Sequence, residues 1–115
     1  MKQEKFKAIS LIRELIIRID ANLDNFPKKD IEIKNRIRNE SYDLLELVYE
    51  ANTISNNEYK ILLLDKSIAK IKVIDFLVNL SYDKEIINSK RYFKFGEAMD
   101  EILKYLLGWK KSINA

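Results

Sequence analysis

The side chains in this chain that could do chemistry are carboxylates, amines, guanidinium groups and hydroxyls. There are 18 acidic and 21 basic residues but no histidine and no cysteine. An acid-rich helical chain raises the prospect of a carboxylate-bridged di-metal centre, which needs inward glutamates and paired Glu-x-x-His motifs. Without histidine that centre cannot be built. The absence of cysteine removes disulfides, thiolate nucleophiles and thiolate metal sites together. Four of the acids, Glu14, Asp30, Glu32 and Asp100, stand four positions before Arg18, Lys34, Arg36 and Lys104, the spacing of surface ion pairs along a helix. Ser10, Ser41, Ser67 and Ser81 fall in helical pattern and none sits on the strained turn that activates a serine nucleophile. With Gly96 and Gly108 the only glycines, no loop exists to cradle a phosphate. The expectation is a protein that is not an enzyme, with no catalytic residue, no metal and no cofactor.

Positive charge is the chemistry that remains. The formal charge is +3, and the stretch from Asn88 onward carries the whole surplus, with Lys90, Arg91, Lys94, Lys104, Lys110 and Lys111 against Glu97, Asp100 and Glu101. Lys66 with Lys70, Lys90-Arg91 with Lys94, and Lys110-Lys111 form clusters with no acid four positions away. These, with Lys104, are the candidate nucleic-acid-binding residues, whose amines and guanidinium groups would contact phosphates and release counterions. Composition alone favours a solvated face, which clusters this small usually are. Tyr82, Tyr92 and Phe93 near the second cluster could stack on bases or belong to the core and its rim.

The elements that would position these residues are four helices, expected at about 6–24, 30–53, 56–81 and 89–111 of a single domain spanning 1–115. Ile9, Ile12, Ile16, Ile19 and Leu23 recur at three- and four-residue steps and share one face of the first. Pro27 closes that helix, since it lacks an amide proton and pushes Phe26 from helical angles. Ile37, Ser41, Leu44, Leu45, Val48 and Ala51 are the inward positions of the second. Ser55 and Glu58 have the spacing of a capping box that opens the third. Leu62, Leu63, Ile68, Ile71, Ile74, Leu77 and Val78 give the third helix a stripe wide enough for two buried faces. Asn88 or Ser89 caps the fourth, which carries Tyr92, Phe95, Met99, Ile102, Leu103 and Leu106 inward. Short connections between helices of matched length predict an all-α, antiparallel up-down four-helix bundle. No stretch approaches the roughly 20 apolar residues of a membrane span, and the N-terminus lacks a secretory apolar run, so a soluble, cytoplasmic chain is expected.

Three local features stand apart. Trp109, between Gly108 and Lys110, either closes the end of the bundle or meets a neighbour, because an indole is costly to leave in water. Gly96 inside a helix suggests a close helix approach. Asn52 is either a C-terminal cap or a polar contact between subunits.

Phe26-Pro27-Lys28, the run Leu44-Leu45-Glu46-Leu47-Val48-Tyr49-Glu50-Ala51-Asn52 and the ending Asp100-Glu101-Ile102-Leu103-Lys104-Tyr105-Leu106-Leu107-Gly108-Trp109-Lys110-Lys111-Ser112 resemble the accessory variability determinant proteins of diversity-generating retroelements. The resemblance covers nearly the whole chain and extends to the wider four-helix-bundle family encoded in intervening sequences of bacterial large-subunit ribosomal RNA. Its most specific part is the ending, where the family typically reads Glu-Ile-Gly-Arg-Met-Leu-Gly-Gly-Trp followed by Leu-Lys. Gly108, Trp109 and Lys111 match directly, Lys104 stands for the family arginine, and Leu103 and Leu107 stand where the family has glycines. The resemblance implies a barrel-like homo-oligomer, a homopentamer of four-helix protomers, that binds a reverse transcriptase and RNA or DNA and supports mutagenic retrohoming without catalysing it. Asn52, Gly108 and Trp109 are then candidates for the oligomer or partner interface. Outside that resemblance, the same residues suit an intervening-sequence-type bundle protein or a small oligomeric protein-protein adaptor of unknown role.

Overall fold

The apolar side of α1 (Lys2–Asn22) stays dry only if other helices cover it. In the computed structural model, which describes residues 2–114 and the side chains of 5–113, α2 (Ile31–Thr53) and α4 (Ser89–Asn114) provide that cover. α3 (Asn57–Asp83) packs against the same two helices from the opposite side. Each helix therefore lies against two neighbours while the backbones of diagonal pairs stay apart, which gives a square four-helix bundle of 45 × 22 × 19 Å. Neighbours run antiparallel. Tyr82 near the end of α3 stacks on Tyr92 near the start of α4, with ring centroids 4.2 Å apart, while Asp65 near the start of α3 bonds Lys110 near the end of α4 at 2.7 Å.

Ile12, Leu15, Ile19, Ile37, Leu44, Val48, Leu64, Ile74, Phe95, Ile102 and Leu106 fill the centre of the square and are almost wholly buried. Each such side chain contributes roughly 1.5–3 kcal/mol by leaving water. Leu15 and Leu64 take core places beside the expected positions, whereas Ile16, Leu45 and Ile68 lie at its edge. Ser67 and Ser81 are buried too, and their hydroxyls donate to the carbonyls of Leu63 and Leu77, both at 2.8 Å. That satisfies them within their own helix.

The helix ends are set by local hydrogen bonds. Asn22 stops α1 by donating its side-chain amide to the Arg18 carbonyl at 2.8 Å. Pro27 opens a short 3-10 turn, Lys28–Asp30, closed by the Asp30 amide on the Pro27 carbonyl at 2.9 Å. The capping box expected from Ser55 does not form as such, because the cap lies one residue later: Asn56 accepts from the Tyr59 amide at 2.8 Å. α3 runs a few residues past its expected end to a Schellman close, with the Glu85 amide on the Tyr82 carbonyl and the Ile86 amide on the Ser81 carbonyl, both at 2.9 Å. Glu85 takes the left-handed position, φ 59°, that glycine usually supplies. Asn88 caps α4 by accepting from the Arg91 amide at 2.8 Å, and α4 continues through Gly108 to Asn114.

The stripe of α3 is covered by α2 and α4, and of its members only Leu62 stays exposed, at 47%; outside it Val73 and Phe76 are 37% and 62% exposed. One expectation about packing is corrected: Gly96 does not admit a neighbouring helix, since a Cβ built there meets nothing from the rest of the bundle within 4 Å. Glycine at that place costs about 1 kcal/mol relative to alanine and gains nothing in packing. No helix among the described residues is long and apolar enough to cross a membrane.

Candidate nucleic-acid interface

An up-down bundle brings the last turn of its first helix beside the first turn of its last. Here that juxtaposition opens a cleft of about 450 Å³ between Arg18 and Asn22 of α1 and Asn88, Lys90, Arg91 and Lys94 of α4, with the buried Phe95 as its floor. No carboxylate lines it. Arg91 is part of its frame: the guanidinium donates to the Asn22 carbonyl at 3.2 Å and so caps α1 from across the bundle. Arg18, Lys90 and Lys94 are exposed and carry no ion pair among the described residues. Three free cations and the amino end of α4 therefore converge on one concave, anion-attracting place. Further along the same groove Glu14, Glu97 and Glu101 face Arg18 and Lys94, so an anion is favoured at the end of the bundle and repelled along its flank.

The eight basic residues singled out from the sequence do not make one surface. Lys90, Arg91 and Lys94 come together in the cleft. Lys111 lies 21 residues further along α4, about 31 Å from Lys90 at the helical rise. Lys110, expected to be uncompensated, is paired with Asp65 at 2.7 Å. Lys70 is likewise not free: its ammonium lies 2.7 Å from Glu40 and 3.6 Å from Asp43, both on α2. Lys66 lines the groove beside that network. Lys104 is exposed, with its ammonium 5.4 Å from the centre of the Tyr105 ring.

Glu40 is a buried carboxylate, its side chain only 5% exposed. Burial pushes its carboxyl up, but hydrogen bonds and charge from Lys70 and from Arg36, 2.7 Å away, outweigh that and hold it below the ordinary value. The hydrogen bond to Glu40 in turn raises Lys70, against a smaller opposing effect of burial. The pair is a structural tie between α2 and α3, and its lysine is spent on it.

The ion pairs expected at four-residue spacing also resolve differently. Arg36 turns to Glu40 rather than Glu32, Asp30 bonds Lys84 at 3.2 Å rather than Lys34, and neither Glu14–Arg18 nor Asp100–Lys104 forms. Arg18 is thereby released to the cleft. The sequence holds a signal for it: in an up-down bundle a residue one turn from the end of α1 must lie level with the first turns of α4. Of the candidate interface residues, Trp109 is 3% exposed and part of the core, so its indole closes the bundle and offers no surface to a partner. Asn52 and Gly108 are half-exposed.

Compared with models of protein families, with curated proteins and with solved structures, the chain matches none.

Proposed function

We propose that this chain is a non-catalytic accessory subunit of a diversity-generating retroelement, which holds template RNA or its cDNA against the reverse transcriptase. The observation that carries the reading is the acid-free cleft of Arg18, Lys90, Arg91 and Lys94, the arrangement that phosphate contact requires. The sequence resemblance suggests the system, and the cleft's charge supports phosphate contact within it. Assembly into a homopentamer belongs to the same reading, supported by the apolar side chains Leu62, Val73 and Phe76 that one protomer leaves in water. Five copies would multiply the modest +3 of each chain and its field.

Binding of a structured RNA, followed by anisotropy over a series of salt concentrations, tests it. The variant R18Q/K90Q/K94Q is expected to bind at least tenfold more weakly, with the logarithmic salt slope shallower by about 2–3, roughly one unit per lost phosphate contact. Arg91 is left in place because it also caps α1. Affinity that ignores salt, or an unchanged variant, removes nucleic acid from the proposal. Mass in solution tests the assembly, and a monomer at micromolar concentration overturns the pentamer.

The exposed face of α3 favours a second reading, a small oligomeric adaptor whose partner is another protein. That reading expects K66Q and R18Q/K90Q/K94Q to leave partner binding intact while charge introduced at Phe76 abolishes it.

A further inference from the structure

The cleft at the start of α4 is closed to a passing polyanion on one side. Arg18 and Lys94 line it, and they also line the groove that continues from it between α1 and α4. Past them that groove turns acidic: Glu14 lies about one turn before Arg18 on α1, and Glu97 and Glu101 lie about one and two turns after Lys94 on α4. All three carboxylates are exposed, and none is held in an ion pair among the described residues. Their charge stands free in the groove and repels a phosphate there. Phe95, 2% exposed, closes the cleft beneath. A chain of phosphates can approach past the end of the bundle but finds no favourable way onward along the seam.

A strand that threads a site brings a phosphate on either side of the bound one. A strand that ends there brings only one neighbour, and its last phosphate is a monoester, which carries about −1.5 to −2 charges at pH 7 where an internal diester carries about −1. We propose that the cleft captures the terminal phosphate of a nucleic-acid strand, at its 5′ or its 3′ end, in preference to an internal phosphodiester. This rests on the reading of the cleft as a phosphate site and narrows it to one kind of phosphate. Arg18, Lys90 and Lys94 supply three cations that are not paired with a carboxylate. The first-turn amides of α4, which have no partner within their helix, add donors at the same end. Such a set rewards the second negative charge of a monoester. The cleft, about 450 Å³, has the size of a small-ligand pocket rather than of a channel.

The test is anisotropy with one short unstructured RNA carrying an internal fluorophore, prepared with a 5′-phosphate, with a 3′-phosphate and with hydroxyls at both ends. The wild type is expected to bind one phosphorylated form about tenfold more tightly than the hydroxyl form, and the tighter of the two identifies the end that is held. The preference is for the second charge, so it is expected to shrink to about threefold at pH 5.5, where most of the monoester is singly charged. R18Q/K90Q/K94Q is expected to bind all three forms weakly and alike. E14Q/E97Q/E101Q changes only exposed side chains; it opens the groove to a passing strand and is expected to raise affinity for the hydroxyl form, which narrows the preference. If the wild type binds the three forms alike while R18Q/K90Q/K94Q weakens them all, terminal capture is overturned and the phosphate cleft stands. If no variant changes any affinity, both fall. A preference that survives R18Q/K90Q/K94Q overturns the proposal, as does a singly phosphorylated peptide that binds the wild type more tightly than either phosphorylated RNA.

Discussion

Trp109→Ala is expected to destabilise the fold by about 3–5 kcal/mol, the cost of deleting a large aromatic side chain from a packed core. Trp109 is 3% exposed and follows Ile102 and Leu106 on the inward side of α4, so its removal leaves a cavity at the end of the bundle where α4 completes the core. Domains are stable by only roughly 5–15 kcal/mol, so the variant forfeits at least about a fifth of that. Urea denaturation followed by circular dichroism measures it, since the only tryptophan is the one removed. Trp109→Phe keeps most of the buried area and is expected to cost much less. A loss under about 1 kcal/mol in the alanine variant contradicts a core role for the indole.

Lys70→Met has the next largest effect, expected at about 2–3 kcal/mol, because it strands the buried Glu40 carboxylate with only Arg36 for company. The value lies at the low end of what breaking a buried pair costs, since Arg36 still holds the other oxygen at 2.7 Å. The double variant E40L/K70M is expected to recover most of the loss, as apolar replacement of both partners removes the desolvation along with the attraction. If the double variant is no more stable than the single one, the uncompensated charge is not the cause. The pair also sets a pH window. Glu40 is held below its ordinary 4.5, so its contribution is full above that value and is lost as the pH falls through the lower folded one. Lys70 is raised above its ordinary 10.5, so its contribution is full below that value and is lost as the pH rises through the higher folded one. E40L/K70M is expected to flatten the acid limb of the stability profile relative to the wild type.

Periodicity found the helices because an apolar stripe is a local property of a chain. What it could not find depends on residues far apart in sequence. Glu40 with Lys70 and Asp65 with Lys110 pair between helices, and Asp30 with Lys84 between two connections, and the four-residue rule assigned such groups to partners along their own helix or to none. Lys70 and Lys110 were read as free for that reason, and Arg18 as spent. α3 runs two residues past its expected end, and no sequence signal marks the stop, because its left-handed close uses Glu85 rather than the glycine or asparagine typical of such a turn. The opening of α3 was misplaced by one residue because Ser55 and Asn56 are both competent caps, and the choice depends on which one the first turn can reach. Of the apolar stripe on α3 only Leu62 stays exposed, while Val73 and Phe76 lie outside it, because apolar spacing carries no information on whether the chain itself will cover a position. Of the cleft, the α4 half was visible as a cluster and the α1 half required the topology.

The bond from Arg91 to the Asn22 carbonyl spans 69 residues, and this gives the cleft a place in time as well as in space. Closing a loop costs more entropy the longer it is, so the α1–α4 seam, which joins the ends of the chain, is the most expensive contact to form early. The α2–α3 hairpin, linked by three residues, is the cheapest. A site built on that seam is expected to be unformed at the barrier, so an anion held there should slow unfolding while leaving the folding rate as it was, a division that rates measured with and without RNA would reveal. Cargo in the cleft would thus act as a latch on the finished molecule rather than as a template for making it.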